Sequence, residues 1–156
     1  MSNEILLTIA KNCPKIEVLD VSSCMFADLS VFQPNPEYFN HLKILQLSAY
    51  NARTPNFIPL MLDFFIVPAK KLEFLDLVSI SKSDFSVDQY IRHLLDLQLL
   101  DNLKALILNG VGFDLGEIDI TRETFKEITE LPSIRKINAH QWGFRNAFSY
   151  IKTVES

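Results

Sequence analysis

The sequence predicts an α/β solenoid of about five repeats, with a parallel sheet on the concave face and helices on the convex face. Three observations support this prediction. A short apolar pattern recurs five times at a near-constant period, and amphipathic helical patterns occupy segments between its occurrences. An apolar stripe after the last occurrence adds a C-terminal capping helix.

The recurring pattern first appears as Ile-Glu-Val-Leu-Asp-Val-Ser-Ser-Cys, with apolar residues at its first, fourth and sixth places. This spacing fits neither a helix nor the plain alternation of a strand, but it fits a short strand that follows a tight bend. The pattern starts at residues 16, 42, 72, 103 and 134, which lie 26, 30, 31 and 31 residues apart. The predicted strands are therefore 16–21, 42–47, 72–77, 103–108 and 134–139.

Segments before the strands have helical spacing. One of them, 87–100, places apolar residues mostly three or four positions apart, at Val87, Tyr90, Ile91, Leu94, Leu95 and Leu97. Residues 121–131 repeat the theme, with Phe125 and Ile128 facing inward, and Pro132 ends that helix. Before the first strand, the same role is predicted for Ile5, Leu6 and Ile9.

The first and last strands of the sheet are predicted to differ in how their outer edges are covered. An apolar stripe at i, i+3, i+4 and i+7 predicts a capping helix over 143–153, formed by Phe144, Ala147, Phe148 and Ile151. Only one helix precedes the first strand, so the outer edge of that strand is predicted to be unpaired. The chain is then either a fragment of a longer solenoid, or the edge is covered by a second copy or another partner.

The repeat spacing over about residues 1–142 resembles the leucine-rich-repeat superfamily. The first unit, 13–24 with Asp28 and Leu29 after it, resembles the cysteine-containing subclass of these repeats. That subclass is common in substrate-binding domains of cullin-type ubiquitin ligases, including F-box and zyg-11-like receptors. The ninth place departs from the family pattern, because Cys24 is followed in later repeats by Tyr50, Ile80, Val111 and Trp142. The asparagine ladder of regular repeats is therefore missing.

Composition limits the classes of function. A chain of 156 residues with 48% hydrophobic and 22% charged residues predicts one folded domain over 1–156. The net charge of −4 argues against broad binding to nucleic acid or anionic membranes. The apolar run 57–67 contains Asp63, stops at Pro68 and spans about half a bilayer. With no secretory signal pattern at the start, we expect a cytoplasmic or nuclear protein with no membrane partner. Cys13 and Cys24 are expected to be reduced and buried.

Aligned strands turn the outward places into columns that run across the sheet. The second place of the pattern reads Glu17, Lys43, Glu73, Lys104 and Arg135. Neighbouring strands thus present mostly opposite charges, which either fix the strand register or form a pattern that a ligand reads. The next two outward columns bring apolar and acidic residues side by side, as a protein interface often does. The first reads Val18, Ile44, Phe74, Ala105 and Lys136, and the second reads Asp20, Gln46, Asp76, Ile107 and Asn138. A last outward column, which contains Asn109 and His140, borders them.

These columns predict a surface that binds another protein or a peptide. The candidate partner-binding residues are Val18, Asp20, Ile44, Gln46, Phe74, Asp76, Ile107, Asn109, Asn138 and His140. The alternative for Phe74 is cover by the chain's own loop at 51–56.

Nothing in the sequence predicts catalysis, a metal site or a cofactor. The three histidines His41, His93 and His140 occupy different places in different repeats, so they are not expected to converge. The glycines of 110–116 lack the lysine of a phosphate-binding loop. A non-catalytic interaction module is the favoured function. The alternatives are the substrate-recognition part of a cullin-type ubiquitin ligase, and an assembly subunit that dimerises through the N-terminal edge.

Overall fold

Four helices and six strands make up the described part of the chain. The computed structural model describes residues 3–22, 24, 33, 35–48, 57–78, 86–108, 120–139 and 150–151. The helices are α1 (Asn3–Asn12), α2 (Phe57–Ile66), α3 (Val87–Asp96) and α4 (Arg122–Glu130). The strands are β1 (Val18–Asp20), β2 (Ile44–Ser48), β3 (Phe74–Val78), β4 (Ala105–Ile107), β5 (Lys136–Ala139) and β6 (Tyr150–Ile151). The chain is therefore an α/β protein.

The strands form one sheet in chain order, β1-β2-β3-β4-β5-β6. The first five strands are parallel, and each overlaps one of the five segments that the recurring pattern predicts. Their register aligns one column through Val18, Ile44, Phe74, Ala105 and Lys136. A second column runs through Asp20, Gln46, Asp76, Ile107 and Asn138. Both are the columns expected from the sequence.

The core lies on the other side of the sheet. The fourth place of the pattern is buried in every strand, at Leu19, Leu45, Leu75, Leu106 and Ile137. The sixth place is buried as well, at Val21, Leu47, Leu77 and Leu108. Successive side chains of a strand point to opposite faces. The two columns at the third and fifth places, which alternate with these rows, therefore face away from the core. The recurring apolar spacing is thus the inward face of the sheet.

Helices α3 and α4 begin where short polar side chains satisfy free backbone amides. The Ser86 hydroxyl accepts from the Gln89 N–H at 3.2 Å at the start of α3. The Thr121 hydroxyl accepts from the Thr124 N–H, also at 3.2 Å, at the start of α4. Pro132 follows α4, which ends at Glu130 as the sequence predicts.

The apolar run 57–67 contains α2, which buries five consecutive or near-consecutive side chains between Met61 and Ile66. Its Phe64 and Phe65 rings lie 5.6 Å and 5.4 Å from the ring of Phe39, which is 1% exposed. Phe39 holds a positive φ of 54°, a conformation that costs a residue with a side chain about 1 kcal/mol or more. The aromatic packing offsets that strain. In the described ranges, none of the helices combines the length and the apolar character that crossing a membrane requires.

A buried carboxylate joins the neighbouring helices α3 and α4. Asp88 is 7% exposed, and its Oδ1 accepts from the Thr121 N–H at 2.7 Å and from the Thr121 hydroxyl at 2.9 Å. Its Oδ2 accepts from Arg92 Nε at 3.0 Å, in an ion pair within α3. Burial alone would raise the pKa of Asp88, but the hydrogen bonds from Thr124, Thr121 and Arg92 together hold it below its ordinary value.

The structure corrects the predicted C-terminal cap. Tyr150–Ile151, inside the helix predicted over 143–153, form a strand antiparallel to β5 and pair with Asn138 and Ala139. The backbone groups along the outer edge of β5 need partners, and an antiparallel strand satisfies them directly. Helical spacing of apolar residues carries no information about that edge. The other residues of the predicted cap lie outside the described residues.

Three smaller expectations about burial are wrong. Leu97 is 48% exposed because α3 ends at Asp96, after which Leu99 and Leu100 take the inward places. Ile5 is 52% exposed, and Ala10 is the buried partner of Leu6 on α1 instead. Both cysteines are free, as expected, but Cys13 is exposed and Cys24 only half-buried.

Candidate functional site

The outward face of the sheet carries eight of the ten candidate residues within the described part of the chain. Val18 is 56% exposed, and Asp20 is exposed as well. The other six are half-buried: Ile44, Gln46, Phe74, Asp76, Ile107 and Asn138. Asn109 and His140 lie outside the described residues, as does the loop at 51–56. Phe74 therefore lies on the outward face of the sheet, as predicted from the sequence, and not in the core.

Apolar side chains form a continuous row on this face. Val18 lies beside Ile44, and Ile44 lies beside Phe74, on three successive strands. Neighbouring strands lie about 4.8 Å apart, so the row is roughly 10 Å long. Ile107 extends the apolar surface from the second column, beside Asp76. We call the surface formed by Val18, Asp20, Ile44, Gln46, Phe74, Asp76 and Ile107 the sheet face.

Four of the five residues in the charged column next to the sheet face form ion pairs within the chain. Lys43 Nζ lies 2.8 Å from Glu17 Oε1, and Lys104 Nζ lies 2.8 Å from Glu73 Oε2. The hydrogen bond and charge of Lys43 lower the pKa of Glu17, and Glu17 in turn raises the pKa of Lys43. Each pair joins two neighbouring strands. This pairing supports the interpretation that the column fixes the strand register.

The two acids of the sheet face have different surroundings. Asp20 Oδ1 accepts from the Ser22 N–H at 2.8 Å, and hydrogen bonding from Ser22 lowers the pKa of Asp20. Burial raises the pKa of Asp76; hydrogen bonding from Gln46 opposes this rise, and the charge of Asp20 adds to it. The Asp76 Oδ1 atom is buried and has no hydrogen-bond partner among the described residues. Asp76 is thus a half-buried carboxylate with an unused acceptor.

Two of the three histidines lie in the described part of the chain, at separate places. His41 is half-buried before β2, whereas His93 is exposed on α3. No group of three or more histidine, cysteine, aspartate or glutamate residues that could hold a metal ion occurs there. Comparison with protein-family models, with curated proteins and with solved structures found no match. The chemistry of the sheet face is therefore inferred from its own side chains.

A shallow cavity that sequence reasoning missed lies at the turns before β2 and β3. It has a volume of about 270 Å³ and is lined by Asn35, Pro36, Asn40, Val67, Pro68 and Lys70. Asn40 Oδ1 is buried there with no hydrogen-bond partner among the described residues. The prolines mark both segments as turns, but nothing in the sequence indicates that the two turns enclose a cavity. Its lining is mostly apolar, and it contains no feature that selects a ligand class.

Proposed function

We propose that this chain is a non-catalytic interaction module of the leucine-rich-repeat type that binds a protein or peptide on the sheet face. The row of Val18, Ile44 and Phe74, exposed or half-buried on the outward side of the sheet, carries the proposal. The core already has its own apolar rows, so this row is not needed to fill it. An apolar centre flanked by polar groups is the usual composition of a protein interface.

The construction of the face also suits binding. Each side chain of the sheet face projects from a strand that is hydrogen-bonded to its neighbours and backed by buried leucines. Side chains held on such a framework lose little conformational freedom when a partner docks. The loss of conformational entropy on binding then offsets less of the interaction energy.

Affinity purification from the native cell extract, followed by mass spectrometry, tests the proposal with the wild type and Phe74→Asp. The variant places a charge in the centre of the apolar row, and we expect the proteins recovered with the wild type to fall by about tenfold or more. Leu97→Asp is the matched control, because it makes the same change of charge at an exposed apolar site at the end of α3. Circular dichroism verifies that both variants are folded. Equal recovery by the wild type and Phe74→Asp would contradict the proposal.

One observation favours assembly through the N-terminal edge as a second candidate function. Among the described strands, β1 pairs with β2 alone, so its other edge has backbone groups available for a strand from another chain. A solution mass of twice the monomer, lowered by proline at the exposed Val18, whose N–H points away from β2, would support this candidate. The alternative of a ubiquitin-ligase receptor predicts that the same affinity purification recovers cullin or adaptor subunits.

A further inference from the structure

Two columns on the outward side of the sheet contain acids, and they differ in whether those acids have ion-pair partners. In the column of Glu17 and Glu73, each carboxylate has a lysine on a neighbouring strand at 2.8 Å. In the column of Asp20 and Asp76, the residue on the strand between them is the neutral Gln46, and neither acid forms an ion pair within the described residues. The chain thus neutralises one acidic column internally and leaves the other as net negative charge.

Asp76 is the less solvated of the two acids in this column. Its carboxyl group is half-buried and hydrogen-bonded by Gln46, whereas Asp20 is exposed and accepts a backbone hydrogen bond. Because the Asp76 Oδ1 atom is itself buried, a docking cation would act on the charge of the carboxylate and not through a bond to that atom. The charge of Asp20 nearby makes the surroundings of Asp76 more favourable for a cation.

The position of Phe74 specifies the kind of cation. Phe74 precedes Asp76 by two residues on β3, so both side chains project from the same face about 7 Å apart. A guanidinium group can stack its plane on an aromatic ring while its N–H groups donate to a carboxylate. An ammonium group on a flexible stem has no plane to stack and is more strongly hydrated. This arrangement suits arginine better than lysine.

We propose that the sheet face receives a protein segment that presents an arginine, with its guanidinium on Asp76 and Phe74 and its apolar neighbours against Ile44 and Val18. This inference rests on the proposed function and specifies the chemistry of its partner. The complementary charge lies on the chain itself, in Asp76 and Asp20. The apolar row beside them accounts for the apolar flanks of the segment.

Selection from a phage-displayed library of random peptides of about 12 residues tests the inference without knowledge of the natural partner. We expect selection on the wild type to enrich arginine several-fold over the starting library, next to apolar residues. Asp76→Asn should weaken a selected synthetic peptide by about tenfold or more, since it removes the charge opposite the guanidinium. Lysine in place of the peptide's arginine should weaken binding by at least about fivefold.

Glu17→Gln is the matched control. It removes the same charge from a carboxylate that is already paired with Lys43, so we expect the affinity for the peptide to change less than about twofold. Thermal unfolding verifies that Asp76→Asn is folded, and we expect it to be at least as stable as the wild type because the lost carboxylate has no ion-pair partner among the described residues.

The outcomes separate this inference from the proposed function. Selected peptides without arginine that bind Asp76→Asn as well as the wild type, but are lost with Phe74→Asp, overturn the arginine inference and leave the sheet face as the site. Peptides that bind all variants equally, or a selection that enriches no peptide, overturn both.

Discussion

Replacing Asp88 with alanine is expected to lower the free energy of unfolding by about 3 kcal/mol at pH 7. Asp88 is buried and accepts from Thr121 N–H, from the Thr121 hydroxyl and from Arg92 Nε, so the variant leaves three donors without their acceptor. The contact holds α3 to α4, the helices that precede β4 and β5. Chemical denaturation followed by circular dichroism measures the loss.

The same variant has a predictable dependence on pH. Because the folded-state pKa of Asp88 is held below its ordinary value, the ionised carboxylate stabilises the fold above about pH 4, and this contribution is lost as the pH falls through the folded pKa. The difference in unfolding free energy between wild type and Asp88→Ala should therefore shrink in acid. Asp96→Ala, which removes an exposed carboxylate at the end of the same helix, should cost less than about 0.5 kcal/mol. Equal losses for the two variants would contradict the role given to Asp88.

Leu75→Ala is expected to lower the free energy of unfolding by about 3–4 kcal/mol, whereas Phe74→Ala should cost only about 1 kcal/mol. Leu75 is fully buried in the core, and its truncation leaves a cavity among the neighbouring strands. Phe74 is the adjacent residue on β3, but it is half-buried on the opposite face of the sheet. The larger of the two side chains should thus be the less costly to remove.

This pair of variants tests the strand register on which the sheet face depends. A slip of one residue would exchange the two faces, place Phe74 inside and reverse the order of the two losses. Equilibrium denaturation of both variants under the same conditions decides between the two registers.

The strand register could be predicted from sequence because the same spacing occurs five times. A single apolar triplet such as Leu42, Leu45 and Leu47 fits several structures, but five at a near-constant spacing favour strands stacked side by side with equal places aligned. Alternating charges at Glu17, Lys43 and Glu73 followed the same alignment, and the structure joins the first two by an ion pair.

Features that depend on contacts between distant segments could not be predicted in this way. Asp88 reads as an ordinary polar residue in the first turn of a helix, and only the approach of Thr121 turns it into a buried acceptor. Ile151 belongs to an apolar stripe with helical spacing, yet Tyr150 and Ile151 pair as a strand with the open edge of β5. Asp76 was predicted to face outward, but the burial of its Oδ1 atom and its hydrogen bond from Gln46 depend on how the surrounding side chains pack.

The central claim is that partners dock on the sheet face and not on the helices. Site-specific photo-crosslinking tests it most directly, with p-benzoylphenylalanine placed at Ile44 in one protein and at the exposed Gln89 of α3 in another. Both proteins are expressed in the native cells, irradiated and analysed for adducts by mass spectrometry. We predict adducts with a partner from position 44 and none above background from position 89. Adducts from position 89 alone would contradict the claim and move the binding surface to the helices.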